Sequence, residues 1–155
     1  MRYFFTYKYK FCNLGIAEKG GAISNVFYDT KKVPEGYEKR ESPLIKIAAY
    51  QLEEYFEGRR KVFDLPLSFH GTKFKVTVWK AVKTIPYGNT CSYGEIAAMI
   101  DNPKASRAVG RANNLNQISI IVPCHRIIGH DGSLVGYAGG LEIKRKLLEL
   151  EKSNK

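Results

Sequence analysis

The chain has 155 residues, enough to bury a core without disulfide or metal staples, and no apolar run reaches the roughly eighteen residues that a membrane span needs. Its three scattered cysteines, Cys12, Cys91 and Cys124, fit neither a paired disulfide framework nor the close ligand pairs of a zinc site, and Cys12 with His70 falls short of a ligand set. A formal charge of +10 admits either a polyanionic partner or a solvated basic surface; residues 1–70 carry 12 Lys and Arg against 9 Asp and Glu, and residues 71–155 carry 13 against 6, so the excess sits mostly in the second half.

The aromatic start is interrupted by Lys8 and Lys10, unlike a signal peptide, which leaves a soluble intracellular protein as the expectation. Its β-branched and aromatic clusters, punctuated by Asn13, Gly15 and Gly20-Gly21, predict short antiparallel strands. From Ser42 to Glu57, apolar residues at Leu44, Ile47, Ala48, Leu52, Tyr55 and Phe56 recur at helical spacing. Ser42 is a candidate N-cap, Pro43 takes N1 and Gly58 marks the stop. Periodicity then lapses through Arg59, Arg60, Lys61, Pro66 and Gly71, which reads as a linker with a boundary near residue 69, separating lobes 1–69 and 70–155.

In the second half, Phe74, Val78, Trp79, Val82 and Ile85 predict a helix that Pro86-Tyr87-Gly88-Asn89 ends. Ser92-Tyr93-Gly94-Glu95 has the form of a capping box and opens a second helix, closed by Asp101-Asn102. Asn102-Pro103 repeats the start signal for a third helix through Ala105, Ala108, Val109 and Ala112, so that the pair forms a helix-turn-helix pattern. Lys104, Arg107 and Arg111 then stand among small residues, either as a thin basic face able to approach a duplex or as an ordinary solvated face. Ile118 to Val122 reads as a buried strand that delivers the chain into Pro123-Cys124-His125-Arg126. A glycine-rich loop or hairpin follows from Gly129 to Gly140, and Leu141, Ile143, Leu147, Leu148 and Leu150 carry a final helix.

By residue type alone, Cys124 is either a small buried hydrophobe or a nucleophile whose thiolate is favoured by nearby positive charge, and His125 is either structural or a base. A phosphatase would place its arginine several residues beyond the cysteine, whereas Arg126 follows by two. A cysteine protease would need His70 or His130 as its base, and neither has a local signature.

The run Ile121-Val122-Pro123-Cys124-His125-Arg126-Ile127-Ile128 resembles the active-site motif of the O6-alkylguanine-DNA alkyltransferases, the methylated-DNA–protein-cysteine methyltransferases. The resemblance continues through Gly71-Thr72, Phe74, Trp79, Ile85-Pro86-Tyr87-Gly88, Ser92 to Ala97, Arg107-Ala108-Val109-Gly110, Asn116 and Gly136 to Gly140. It is dense over residues 71–151 and loose before them. It implies an α+β protein with a small ribonuclease H-like first lobe of antiparallel strands plus a helix, and a mainly helical, winged-helix-like second lobe. It also implies transfer of an alkyl group from O6 of guanine, and from O4 of thymine, in duplex DNA to Cys124, once per molecule and without cofactor or metal.

On the same resemblance, His125, oriented by Glu151, deprotonates Cys124 through a water; Tyr93 assists rotation of the base and donates to it; Asn116 ties the active-site segment in place. Arg107 replaces the extruded guanine from the minor groove, with Lys104, Ser106, Ala108 and Arg111 also at the DNA. Ile127, Tyr137, Ala138 and Trp79 border the substrate pocket, although Tyr137 could equally be core filling and Glu151 an exposed terminal charge. Ala138 stands where some members have serine, and Asn113-Asn114 is less basic than in several relatives, which would weaken phosphate contacts. A monomer in the cytoplasm beside chromosomal DNA is expected. The alternative is a non-catalytic lesion sensor or a regulator, but such relatives lack the cysteine of this motif.

Overall fold

The structure is a computed structural model describing residues 1–155. Three antiparallel strands open the chain as expected: β1 (Arg2–Lys8), β2 (Asn13–Lys19) and β3 (Ala22–Tyr28), with positive φ at both Gly20 and Gly21 in the β2–β3 turn. A two-residue strand, β4 (Glu38–Lys39), adds in parallel to β1, giving the order β3-β2-β1-β4. It is too short to carry a period and was not visible in the sequence pattern.

Helix α1 (Pro43–Phe56) lies against this sheet and buries Ile45, Ala48, Leu52 and Tyr55, a three-to-four-residue spacing that keeps them on one stripe. Ser42 caps it by accepting from the Ile45 amide and donates its own hydroxyl proton to Glu18 on β2, so the cap also fixes the helix to the sheet. The following linker is irregular but not loose. Gln51 holds Asp64 through both its amide atoms, and Ile23 on β3 bonds to Pro66 and Ser68.

The second half contains α2 (Lys73–Lys83), β5 (Cys91–Ser92), α3 (Tyr93–Met99), α4 (Ser106–Asn114), a 3-10 turn (Cys124–Arg126), β6 (Ile127–Ile128) and α5 (Leu141–Ser153). The capping box at Ser92 and Glu95 is formed in both directions. Strand β5 pairs in parallel with β6, which sets the start of α3 beside the residues that follow Cys124. One continuous apolar core of 25 buried residues runs from Leu14 to Leu147 and joins both halves.

Two sequence expectations are corrected. Helix α4 starts at Ser106, not after Asn102-Pro103. Asp101 adopts φ 57°, the Asn102 and Asp101 amides return to Ala97 and Ala98 to end α3, and the Ala105 amide bonds the Asn102 carbonyl in a separate turn, so α4 begins after Ala105 without a side-chain cap. Ile118–Val122 is buried but is not a strand. Only Ile118-Ser119 pair with Val26 of β3; the chain then reverses at Ile120, φ 70°, and Val122 bridges back to Ser119. A buried turn and a buried strand are equally apolar, so hydrophobicity alone could not separate them. The Gly129–Gly140 stretch resolves as a loop without strand pairing.

Gly58 ends α1 at φ 78°, and a Cβ there would lie 2.7 Å from the Asn154 side chain. Gly58→Ala should lower unfolding free energy by about 1–2 kcal/mol, read as a lower urea midpoint; an unchanged midpoint would show that the turn relaxes at no cost.

Candidate active site and nucleic-acid interface

The residues around Cys124 are set by three side chains that convert backbone groups into anchors. Asn116, just past α4, accepts from the Ile118 amide and donates to the Val122 carbonyl at 2.9 Å, which pins both ends of the reversal at Ile120; its Nδ2 also lies 3.1 Å from Cys124 Sγ. Asn113, on the buried face of α4, directs Nδ2 at the Cys124 carbonyl, 3.4 Å away. Lys144 on α5, fully buried, donates to the carbonyls of Ile127 and Val135, closing the glycine-rich loop over the segment. Asn116 thus ties the turn to the active-site segment by hydrogen bonds and reaches the sulfur itself.

Cys124 is 3 % exposed. Burial pushes its thiol up to about 11, against the opposing pull of the Asn116 hydrogen bond and the Lys144 charge. At neutral pH the sulfur rests as a thiol, so its attack on an electrophile needs a base.

His125 supplies a nitrogen for that role. Its Nε2 lies 2.6 Å from Glu151 Oε2, while Nδ1 is buried and has no hydrogen-bond partner in the protein. Burial would raise the Glu151 carboxyl, but hydrogen bonds and charge from His125 and Arg126 outweigh it and hold the group well below the usual carboxylate range. An ionised carboxylate only accepts, so Nε2 carries the proton and Nδ1 presents its lone pair. Burial also lowers the imidazole, with Arg126 and Lys144 acting in the same sense against Glu151, so His125 is neutral near pH 7.

Glu151 is 1 % exposed, which rules out the exposed terminal charge that its position near the chain end allowed. Arg126 meets it in a fork, Nε to Oε1 at 2.7 Å and Nη2 to Oε2 at 3.1 Å, and the Gly88 amide and the Tyr55 hydroxyl complete its shell. Removing one partner of such a buried charge typically costs about 3–5 kcal/mol. Arg126, too close in sequence to serve as a phosphatase arginine, is the counter-ion that keeps the carboxylate charged.

Tyr137 turns its hydroxyl to that of Tyr28, and its ring stands edge-on to His125 at 6.4 Å. Ala138 and Gly136 neighbour it on the wall of a cavity of about 480 Å³, which Asn116, Ser119 and residues of β3 also line. Trp79 is not on this wall. It is 2 % exposed, stacks on Phe69 and donates its indole proton to Ala112, so it is a core brace between α2 and α4. Ile127 is wholly buried and can offer only its backbone.

Helices α3 and α4 form the helix-turn-helix. Tyr93, the first residue of α3, is half-buried beside α4: a Cβ on Gly110 would sit 3.5 Å from its ring. Burial raises its phenol, with Cys124 acting in the same direction. Lys104, Arg107 and Arg111 are exposed and enter no ion pair, while Ser106 and Ala108 are partly covered. Asn113 is not a phosphate contact at all, since it is 3 % exposed and faces inward. Sequence reasoning missed Asn113, Lys144 and Tyr55. Asn113 was detectable as a polar residue on the otherwise apolar face Val109-Ala112-Asn113, and Lys144 shares the buried face of α5 with Leu147 and Glu151.

These elements define an α+β protein with a buried cysteine followed by a buried imidazole that is hydrogen-bonded to a carboxylate. A family model described as 6-O-methylguanine DNA methyltransferase, DNA binding domain, matches residues 73–153. The methylated-DNA–protein-cysteine methyltransferase of Methanosarcina acetivorans is 54% identical over 138 residues, 88% of each chain. The constitutive enzyme of that name from Bacillus subtilis is 45% identical over 159 residues, covering 98% of this chain and 96% of its own. Among solved structures, Mycobacterium tuberculosis O6-methylguanine methyltransferase matches with a TM-score of 0.91 at 43% identity, covering 100% of this chain and 95% of that one. The M. tuberculosis protein in complex with DNA matches at 0.92 and 45%, covering 98% and 94%. The chain belongs to the methylated-DNA–protein-cysteine methyltransferase family. No helix is long and apolar enough to cross a membrane.

The neutral buried imidazole fixes a pH dependence. With a folded affinity below the unfolded value of about 6.5, the unfolded state binds the extra proton, so stability should fall as pH drops through 6.5. Glu151 contributes stability that is present above its unfolded value of about 4.3 and is lost as pH falls below it. The thermal midpoint should therefore decline from pH 7 to 5, and His125→Gln should remove the step near pH 6; a step that survives the substitution belongs to other groups.

Proposed function

We propose that this protein repairs alkylated DNA by moving a methyl or larger alkyl group from O6 of guanine, and from O4 of thymine, onto Cys124 in a single irreversible turnover. The observation that carries this reading is the assembly around the sulfur: a buried Cys124 thiol held by Asn116, followed by an imidazole whose Nδ1 is free and whose Nε2 is committed to Glu151.

In the reaction, His125 Nδ1 takes the thiol proton through one water, and Cys124 Sγ attacks the alkyl carbon as the carbon–O6 bond breaks. The electron pair leaves on the guanine, which receives a proton from the Tyr93 hydroxyl; the proton held by His125 passes to solvent and the phenol is restored from it. The product thioether is not reversed by thiol exchange, so each molecule acts once and needs no cofactor. Such a displacement requires the base out of the stack, because the alkyl carbon of a paired guanine cannot be approached in line by a protein sulfur.

In the same proposal, α4 enters the minor groove, Arg107 occupies the space left by the base, and Lys104, Ser106, Ala108 and Arg111 lie along the backbone. Their support is the unpaired charge of the three cations and the small residues between them. Tyr137 and the Ala138 backbone border the base, with the Ile127 carbonyl behind them; Trp79 is left out of this group. The division into lobes 1–69 and 70–155, the ribonuclease H-like and winged-helix-like descriptions, a monomeric state and a place in the cytoplasm beside the chromosome belong to the proposal too.

Duplex DNA carrying labelled O6-methylguanine should transfer up to one label per protein, and Cys124→Ala should transfer none; label that remains on the DNA would refute the reading. Arg107→Ala should slow duplex repair on the order of tenfold, about 1.4 kcal/mol, yet leave reaction with free O6-benzylguanine within about twofold. Equal losses on the two substrates would remove Arg107 from base extrusion.

A further inference from the structure

We propose that Tyr55, at the end of α1 in the first lobe, is a positioning residue for the His125–Glu151 pair, and that through its hydroxyl the first lobe sets the pH at which the base becomes competent. The inference rests on the alkyl-transfer reading and adds to it a role for the lobe that the family motifs do not cover.

Tyr55 is fully buried, and its hydroxyl donates to Glu151 Oε2 at 2.6 Å. That oxygen is also the acceptor for His125 Nε2 at 2.6 Å, and the phenol oxygen lies 3.4 Å from Nε2. With Arg126 Nη2 at 3.1 Å, three donors converge on that one carboxylate oxygen. Because the phenol can donate only one proton and the carboxylate takes it, Nε2 must bring its own, which fixes the tautomer that leaves Nδ1 bare.

The competition also limits how far Glu151 can draw on His125. Each donor that shares Oε2 reduces the negative charge available to the imidazole, and with it the stabilisation of an imidazolium. The hydroxyl therefore keeps the base neutral at a lower pH than a lone His–Glu pair would. Other groups facing this pair are Arg126, in the fork on Glu151, Lys144 on α5, Tyr87 against the Tyr55 ring at 6.2 Å, Tyr137 edge-on to His125, and the Cys124 thiol. Among these, Tyr55 is contributed by the first lobe and bonds directly to the carboxylate.

Packing holds the hydroxyl where it is. The ring meets Phe56 and Tyr87 edge-on and Phe63 at a tilt, with centroids 5.5 to 6.2 Å away, so Tyr55→Phe keeps the aromatic contacts and deletes one oxygen.

The test is the pH dependence of the single-turnover rate with free O6-benzylguanine, which avoids DNA binding, measured for wild type and Tyr55→Phe, together with thermal midpoints and the fraction of protein that reacts. The proposal expects the acid limb of Tyr55→Phe to move to higher pH by half a unit or more, about a threefold loss of rate on that limb, with the alkaline plateau within about twofold and the reacting fraction unchanged. A limb that stays in place, or that moves to lower pH, overturns it. So does a uniform loss at every pH with a reduced reacting fraction, which is what a purely structural phenol would give. Wild type that takes up no benzyl group would instead overturn the transfer reading, independently of Tyr55.

Discussion

The structure depends on one carboxylate. Glu151 is buried near the end of the last helix, and a lone charge there would be untenable in an apolar core. It is held by four donors from three separate places: Tyr55 on α1, the Gly88 turn, and His125 with Arg126 in the motif, so the groups that neutralise it are the groups that surround the cysteine. Charge satisfaction and catalytic geometry are the same set of contacts. The fold cannot relax one without exposing the other.

That arrangement explains why the thiol can rest unreactive. Burial favours the protonated sulfur, and the imidazole of the next residue is neutral with its Nδ1 unpartnered. Asn116 contributes from the other side by holding the reversal at Ile120. A β-branched residue at φ 70° is disfavoured by about 1–2 kcal/mol and persists only where neighbours over-determine it, here Asn116 and the pairing of Ile118-Ser119 with β3.

Much of the fold was legible because its signals were local. Ser42, Pro43 and Gly58 bound α1, and the Ser92–Glu95 capping box opens α3, each through short-range hydrogen bonds whose partners lie three residues apart or at a left-handed glycine. The start of α4 was not legible, because Asn102-Pro103 can open a helix or a single turn, and here it opens a turn that ends at Ala105. The Cys-His-Arg motif was visible as a motif, and its family resemblance pointed to Glu151. What no local pattern could supply was the long-range part of the site: Tyr55 lies 96 residues before Glu151, and its apolar neighbours on α1 made it read as core, which it also is.

The outer edge of the first sheet shows what the join between halves implies. Strand β3 offers Ile23 to residues 66–68 and Val26 to residues 117–119, so its free edge is covered by segments from both sides of the sequence seam near residue 69. A fragment ending at that seam would carry an open strand edge with Val26 unpartnered, prone to stick to its own kind. The complementary fragment would keep the cysteine and Asn116 but lose the pairing with β3 that helps hold the backward bend at Ile120. The seam is therefore a division that genetics could draw and chemistry could not use, and recombination that swapped one half for a distant relative's would have to carry the matching edge with it.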